Sequence, residues 1–518
     1  MRTDTGSWAA TLKLYWHRPV LTMLFLGFSA GIPLLLIFSS LSLWLREAGV
    51  ERAVVTYFSW AALGYSFKFV WAPLVDQLPL PWLTRLLGRR RGWMLLAQFS
   101  IAAAILLMAS IDPQQSDSSL TLMALAAVML GFSSATQDIV IDAYRIESAG
   151  PELQAMMSAT YIVGYRLAML LAGAGSLYLA QGFGSSSDAY NYQAWQYTYS
   201  IMAVAMLVGV VTTLVIREPR KSESKVYQES TREYVRFVFL FAVTVAGFIT
   251  FYVLSGATAA QLKTSLSNLT GNAILSGSLV EGLRLVGAVL AALLLAFALI
   301  KLKIARYAMV ERTYLMPIRD FFERYGWSFA WMLLALIGLY RISDIVLGVI
   351  SNVFYKDLGF SKTEIADVVI VFGIFMTILG GLIGGLLAAR VGVIRIMLLG
   401  GVLAAATNLL FMLLAGIGHD MFWLYLVISA DNLSAGIASA AFVAFLSSLT
   451  NVSFTAMQYA IFSSLMTLIP KSLGGYSGSM VDAIGYPSFF LFTAILGLPV
   501  LVLIIVVAKR FEIRNQSS

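Results

Sequence analysis

Cysteine is missing from the whole 518-residue chain, which excludes disulfides, thiolate metal sites and cysteine nucleophiles together. Histidine occurs only as His17 and His419, both in terminal or loop segments. Both read as ordinary loop residues, so there is no histidine cluster to hold a catalytic metal, and no cofactor is expected. Charge is scarce as well: Asp, Glu, Lys and Arg make up 12% of the chain, about half their share in soluble domains. Apolar residues take their place at 59%, with a mean hydropathy of +0.82. Water cannot solvate a surface of that composition, and the bilayer becomes the main constraint on the fold.

Apolar runs of about 20 residues, the length that crosses a hydrocarbon core as a helix, recur from end to end. Six lie near 20–43, 54–75, 93–111, 120–145, 154–181 and 197–216, and six more near 328–353, 363–389, 393–415, 421–448, 454–480 and 486–509. Two others, near 235–256 and 273–300, stand between these sets and bring the expected total to about 14 spans. The expected class is all-α and polytopic. Its organisation is an N-terminal half at 1–216, an insert with loops at 217–327 and a C-terminal half at 328–518. The first apolar run is not followed by a small-residue cleavage site and is expected to stay as a span.

The net charge of +8 is a topology signal here, because the basic residues sit in short loops and form no soluble face for nucleic acid. Threading the spans gathers both termini, Arg85, Arg89, Arg90 and Arg91, the stretches 217–236 and 301–324, and Arg390 and Arg395 on one side, expected to be cytoplasmic. Opposite loops hold chiefly Arg46, Arg52, Lys263, Lys356 and Lys362. A weak repeat links the halves: Arg166 and Lys471 are each followed seven residues later by glycine, Gly173 and Gly478. Two parallel six-helix repeats around a central site fit that pattern. The segment around Pro317–Phe322 has the look of an amphipathic helix.

Charges inside spans are costly, so each invites a functional reading with a partner. The fourth span places Asp138, Asp142 and Arg145 on one helix face with Gln137 beside them. Two carboxylates on an apolar face suit proton exchange. The plainer alternative is that Asp142, Arg145 and Glu147 form a solvated helix end. Arg166 lies deep in the fifth span, where it can neutralise an aspartate or bind an anionic solute. Tyr161 and Tyr165 precede it and offer a sugar ring an apolar face with a polar rim, or simply pack. Lys68 pairs with an aspartate of another helix, lines a cavity, or snorkels to the interface. Trp60, Tyr65 and Trp71 are cavity aromatics or interface anchors. In the second half, Arg341 and Asp344 are spaced to neutralise each other, as are Glu281 and Arg284 in the insert, where structure is the favoured reading. Asp431 and Lys471 are further candidates. Gly380, Gly381, Gly384 and Gly385 permit close helix approach, for packing or sliding.

Several stretches resemble the AmpG family of muropeptide permeases within the major facilitator superfamily. They are GFSAGIPLLL at Gly27, FSWAALGYSFKFVWAPLVD at Phe58, GRRRGW at Gly88, ATQDIVIDAYRIE at Ala135, GYRLAML at Gly164, PIRDFF at Pro317 and SAAFVAFLSSLTNVSFTAMQYA at Ser439. The resemblance implies proton-driven import of peptidoglycan turnover products through the bacterial inner membrane. The solute would be N-acetylglucosaminyl anhydro-N-acetylmuramic acid with or without its stem peptide. A link to cell-wall recycling and inducible beta-lactamase signalling is implied with it. The insert at 218–316 departs from shorter members of the family.

The expected partners are that solute, protons and the lipid bilayer, and the expected functional form is a monomer. Alternating access with Asp138 or Asp142 carrying the proton is the expected mechanism. Asp344 and Asp431 are further proton candidates. Lys68, Gln137, Tyr161, Tyr165, Arg166, Arg341, Lys471, Trp60 and Tyr65 are the candidates for binding solute. Alternatives are a transporter of another large polar or acylated solute such as an acyl-coenzyme A, a membrane enzyme acting on cell-wall intermediates, and a structural or sensor protein. An enzyme is not expected.

Overall fold

The computed structural model describes residues 8–51, 54, 55, 58, 65, 67–186, 189–219, 231–271, 273–474 and 476–517. Much of the expected second span, including Trp60, lies outside these residues. Among the described residues, 13 helices are long and apolar enough to cross a membrane. They bear out the expected polytopic all-α class.

The first half contains α1 (Arg18–Glu47), α3 (Arg89–Ala109), α4 (Asp117–Ser148), α5 (Pro151–Gly182) and α6 (Tyr192–Val215), with the short α2 (Ala72–Gln77) after a 3-10 turn at Lys68–Val70. Local chemistry starts and bends these helices. Pro19 and Pro151 occupy first-turn positions, where no backbone N–H is needed. The side chains of Ser116 and Asn191 cap α4 and α6 by accepting from Ser119 N and Gln193 N. α1 bends at Phe38, and α5 carries a π-helical turn at Leu171–Gly175.

The second half contains α10 (Trp327–Asp357), α11 (Ile365–Val391), α12 (Val393–Ile417), α13 (Met421–Leu449), α14 (Thr455–Gly474) and α15 (Ser477–Ser517). α15 turns at Gly485, whose φ of 75° suits glycine. The two halves belong to one compact unit, residues 1–222 with 322–518. Residues 223–321 form a second unit containing α7 (Thr231–Leu254), α8 (Gly256–Thr270) and α9 (Ala273–Lys301). α8 occupies a stretch expected to be a loop. Within this unit Glu281 pairs with Arg284 at 3.2 Å, as its spacing implies, and also with Lys263 at 2.5 Å. The expected amphipathic segment is the helix Met316–Tyr325.

In a bilayer, helices gain little from burying apolar surface, so they associate through close packing and hydrogen bonds. Glycines provide that closeness. Gly27 and Gly164 bring α1 and α5 together so tightly that an added Cβ at either would overlap backbone of the other helix. Gly380 and Gly384 do the same for α11 against Leu433 and Ile437 of α13, whereas Gly381 and Gly385 face Ile162 and Ala159 of α5 in the other half. The glycine series thus serves two interfaces. Away from them each half has an aromatic core: Trp44 stacks on Trp195 at 5.6 Å, and Phe354 packs edge-on against Phe490 at 4.7 Å.

Candidate transport site

Three elements converge within the first half, the turn at Lys68–Val70, the C-terminal turns of α4, and α5. On α4, Asp142 is bracketed by two cations: Lys68 Nζ at 3.7 Å from its Oδ2, and Arg145 Nη2 at 3.2 Å from its Oδ1. Lys68 therefore takes the first of its three alternatives, a partner aspartate on another helix. Arg145 is 1% exposed, which overturns the solvated helix end. Its other amino group donates to Ser158 Oγ (3.0 Å) and, across the halves, to Ser447 Oγ (2.8 Å), and its guanidinium lies 5.1 Å from the Tyr459 ring centroid. One turn before Asp142, the half-buried Asp138 has the Tyr161 hydroxyl at 3.4 Å as its described hydrogen-bond donor. Two carboxylates on the same helix face thus have different surroundings. Asp142 is held by cations in contact with it, whereas Asp138 has a neutral hydroxyl as its hydrogen-bond partner and Lys68 only within electrostatic reach.

Other candidates separate by what they touch. Gln137 is fully buried and donates to Ser29 Oγ at 2.6 Å, bracing α4 on α1. Tyr65 donates to Ser134 Oγ at 2.5 Å, and Trp71 to Thr136 Oγ1 at 3.0 Å. The Tyr161 and Tyr165 rings are 6.0 Å apart. Arg166 pairs with neither Asp138 nor Asp142; its described contact is the Met169 sulfur at 3.8 Å. In the second half Arg341 and Asp344 are 3.7 Å apart, and Asp431 accepts from Thr407 Oγ1 at 3.4 Å. Lys471 is exposed on the last turn of α14, and Gly478 lies beyond that helix, at the start of α15.

A second polar cluster sits at the end of the helices carrying the basic loops. Arg90, 1% exposed, reaches Asp76 Oδ1 at 2.6 Å and both Glu147 oxygens at 2.5 and 3.0 Å. Glu147 in turn accepts from Thr455 Oγ1 at 2.9 Å, at the start of α14. Sequence reading took Arg90 as a topology signal alone. Its role emerges because Gly88, at φ 93°, opens α3 so that the arginine folds back on Asp76. Described contacts between the halves gather at this end: Arg145 with Ser447, Glu147 with Thr455, Tyr15 with the Leu382 carbonyl (2.6 Å), and Gly385 against Ala159.

The family model of the Major Facilitator Superfamily matches residues 23–340 and 321–518. The chain belongs to that superfamily. This facilitator is 29% identical to putative transporter AmpG 4 of Rickettsia conorii, over 94% of this chain and 96% of that one. It is 28% identical to the anhydromuropeptide permease of Escherichia coli K12, over 97% and 82%. The resemblance read from the motifs is thereby borne out. Among solved structures it is similar to the proton:xylose symporter XylE (TM-score 0.56, 11% identity, 95% of this chain and 94% of that one). It is also similar to FucP in the outward conformation (TM-score 0.54, 12% identity, 94% and 97%). These likenesses establish the facilitator fold, and the chain is a multi-pass membrane transporter.

Proposed function

We propose that this facilitator imports N-acetylglucosaminyl anhydro-N-acetylmuramic acid, with or without its stem peptide, by proton symport through alternating access. Its place would be the bacterial inner membrane with both termini cytoplasmic, working as a monomer in cell-wall recycling and, through that, in beta-lactamase induction. The substrate class rests on the similarity to the anhydromuropeptide permease. The observation that carries the mechanism is Arg145, which holds Asp142 in its own half and Ser447 in the other with the same guanidinium. Any change in charge on this face of α4 bears directly on a contact that joins the halves. With the basic loops placed in the cytoplasm, the described contacts close the cytoplasmic end.

In that cycle Asp142 stays between Lys68 and Arg145 and keeps the helices in register. Asp138 takes the proton, with Tyr161 as its hydrogen-bond partner in either state. Opening inward requires Arg145 and Glu147 to release α13 and α14, and the glycine-lined contact of α11 with α5 gives the halves a smooth surface on which to rock.

Competition in proteoliposomes tests the substrate class. Uptake of labelled anhydro-disaccharide should fall to about half when the unlabelled compound equals the KM, and an acyl-coenzyme A at the same concentration should leave it unchanged. Inhibition by the acyl compound alone, with transport of that compound, would move the assignment to acylated solutes.

A further inference from the structure

A short helix precedes the first span. Trp8–Lys13 continues as a 3-10 turn, Leu14–Trp16, and α1 follows at Arg18. The stretch WAATLKLYWHR at 8–18 holds Lys13, His17 and Arg18 and no acidic side chain.

One row of this segment faces the second half. The Arg390 guanidinium, in the last turn of α11, is 4.0 Å from the centroid of the Trp8 ring. Arg390 Nη1 is buried without a hydrogen-bond partner among the described residues, and the indole face gives that cation a favourable neighbour. Tyr15 donates its hydroxyl to the Leu382 carbonyl of α11 at 2.6 Å. Gly385 leaves room for this contact, since a Cβ there would stand 2.9 Å from the Tyr15 hydroxyl oxygen. Thr11 lies between the two aromatics and is 1% exposed. Trp8, Thr11 and Tyr15 follow the three- and four-residue spacing of one helix face.

The adjoining row is apolar and exposed. Leu12 and Trp16, one turn apart, are 51% and 77% exposed. They stand directly before a span, and tryptophan is favoured at the level where a span leaves the bilayer. A helix at that level with Leu and Trp on one face, and with basic charges alone, suits an anionic lipid surface.

We propose that Trp8–Trp16 is a membrane-seated strap. Leu12 and Trp16 enter the headgroup region of the leaflet at the basic-loop end, and the exposed Lys13 and Arg18 meet its lipid phosphates. The row of Trp8, Thr11 and Tyr15 holds α11. The strap belongs to the first half by chain and to the second by contact, so opening this end breaks the contacts of Tyr15 with Leu382 and of Trp8 with Arg390. Anionic lipid that seats the strap therefore favours the closed end. The inference does not depend on the solute.

Because the chain has no cysteine, a single introduced cysteine reports a single position. Trp16→Cys is labelled with an environment-sensitive fluorophore and reconstituted in vesicles of phosphatidylcholine and phosphatidylglycerol, with iodide added on both sides. Quenching by lipids brominated on the acyl chain, with little quenching by iodide, supports the seat in lipid. Quenching by iodide alone overturns it, and so does shielding from both quenchers, which means that protein covers this row. The hold on α11 is read with Ala159→Cys, at a fully buried position against Gly385 where α5 meets α11. Adding Tyr15→Phe or Trp8→Ala should speed alkylation of this cysteine by a membrane-permeant maleimide about fivefold, the weight of one neutral hydrogen bond or cation–π contact. Omitting phosphatidylglycerol should speed the parent to a similar extent and change the variants little. Rates that neither substitution alters overturn the strap, and a parent rate that ignores phosphatidylglycerol overturns anionic lipid as its seat. Trp16→Cys leaves both contacts with α11 in place, so its readout stands where a Tyr15 or Trp8 variant folds poorly.

Discussion

Asp138→Asn should reduce accumulation of solute to the external concentration while solute exchange across the membrane continues. With one proton per solute, each pH unit across the membrane is worth about 1.4 kcal/mol, or about tenfold accumulation. The variant should lose that factor entirely. The expectation follows from the unequal surroundings of two aspartates one turn apart. Asp142 has Lys68 at 3.7 Å and Arg145 at 3.2 Å, and it serves as the counter-charge for both. Asp138 has a phenol at 3.4 Å, a partner able to accept from the acid or donate to the carboxylate. Asparagine keeps the shape and the hydrogen bond but cannot exchange a proton. Asp142→Asn should behave differently, because it leaves two buried cations without their carboxylate. Its signature is loss of folded protein in detergent, where Asp138→Asn melts like wild type. Wild-type accumulation by a correctly inserted Asp138→Asn protein would sink the assignment.

Gly164→Val should be among the most damaging single changes in the first half. A Cβ at this position would overlap the Leu24 carbonyl of α1, and one at Gly27 would overlap the Tyr161 carbonyl of α5. Both obstacles are backbone, so relief requires the helices to move apart. Overpacking where side chains can shift costs about 1–3 kcal/mol, and a rigid backbone contact lies at or beyond the upper end. The displaced α5 also carries Tyr161 and Arg166 away from their positions. Melting in detergent should drop by several degrees with loss of uptake. Gly182→Ala, where an added Cβ meets nothing within 4 Å, should melt as wild type does. Equal melting of Gly164→Val and wild type would show that the α1–α5 contact is looser than described.

The spans were legible because the bilayer forces a long apolar run for each crossing, and that pattern is local. α8 was not, because its sequence GATAAQLKTSLSNLT mixes small, polar and apolar residues without such a run. The ion pair of Arg341 with Asp344 was readable from spacing alone, since three residues along a helix bring the groups together. Lys68 was open to an aspartate of another helix without showing which one, and Arg145 with Ser447 and Glu147 with Thr455 were not readable at all, because nothing local links residues 74, 302 and 308 positions apart. Spacing did bring Asp142 and Arg145 together on one helix face, and the plainer alternative of a solvated helix end fails because the other half of the molecule covers Arg145. Arg90 shows the same limit, since a loop arginine that sets topology and one that binds two buried carboxylates look alike in sequence.

The central claim, proton-driven import of an anhydro-muropeptide, is tested most directly by loading proteoliposomes with alkaline or acidic buffer and following the labelled compound. The account predicts accumulation only into the alkaline interior, about tenfold per pH unit for one proton, and none into the acidic one. Equal filling under both gradients would contradict proton coupling, and no uptake under either, with insertion verified, would contradict the solute.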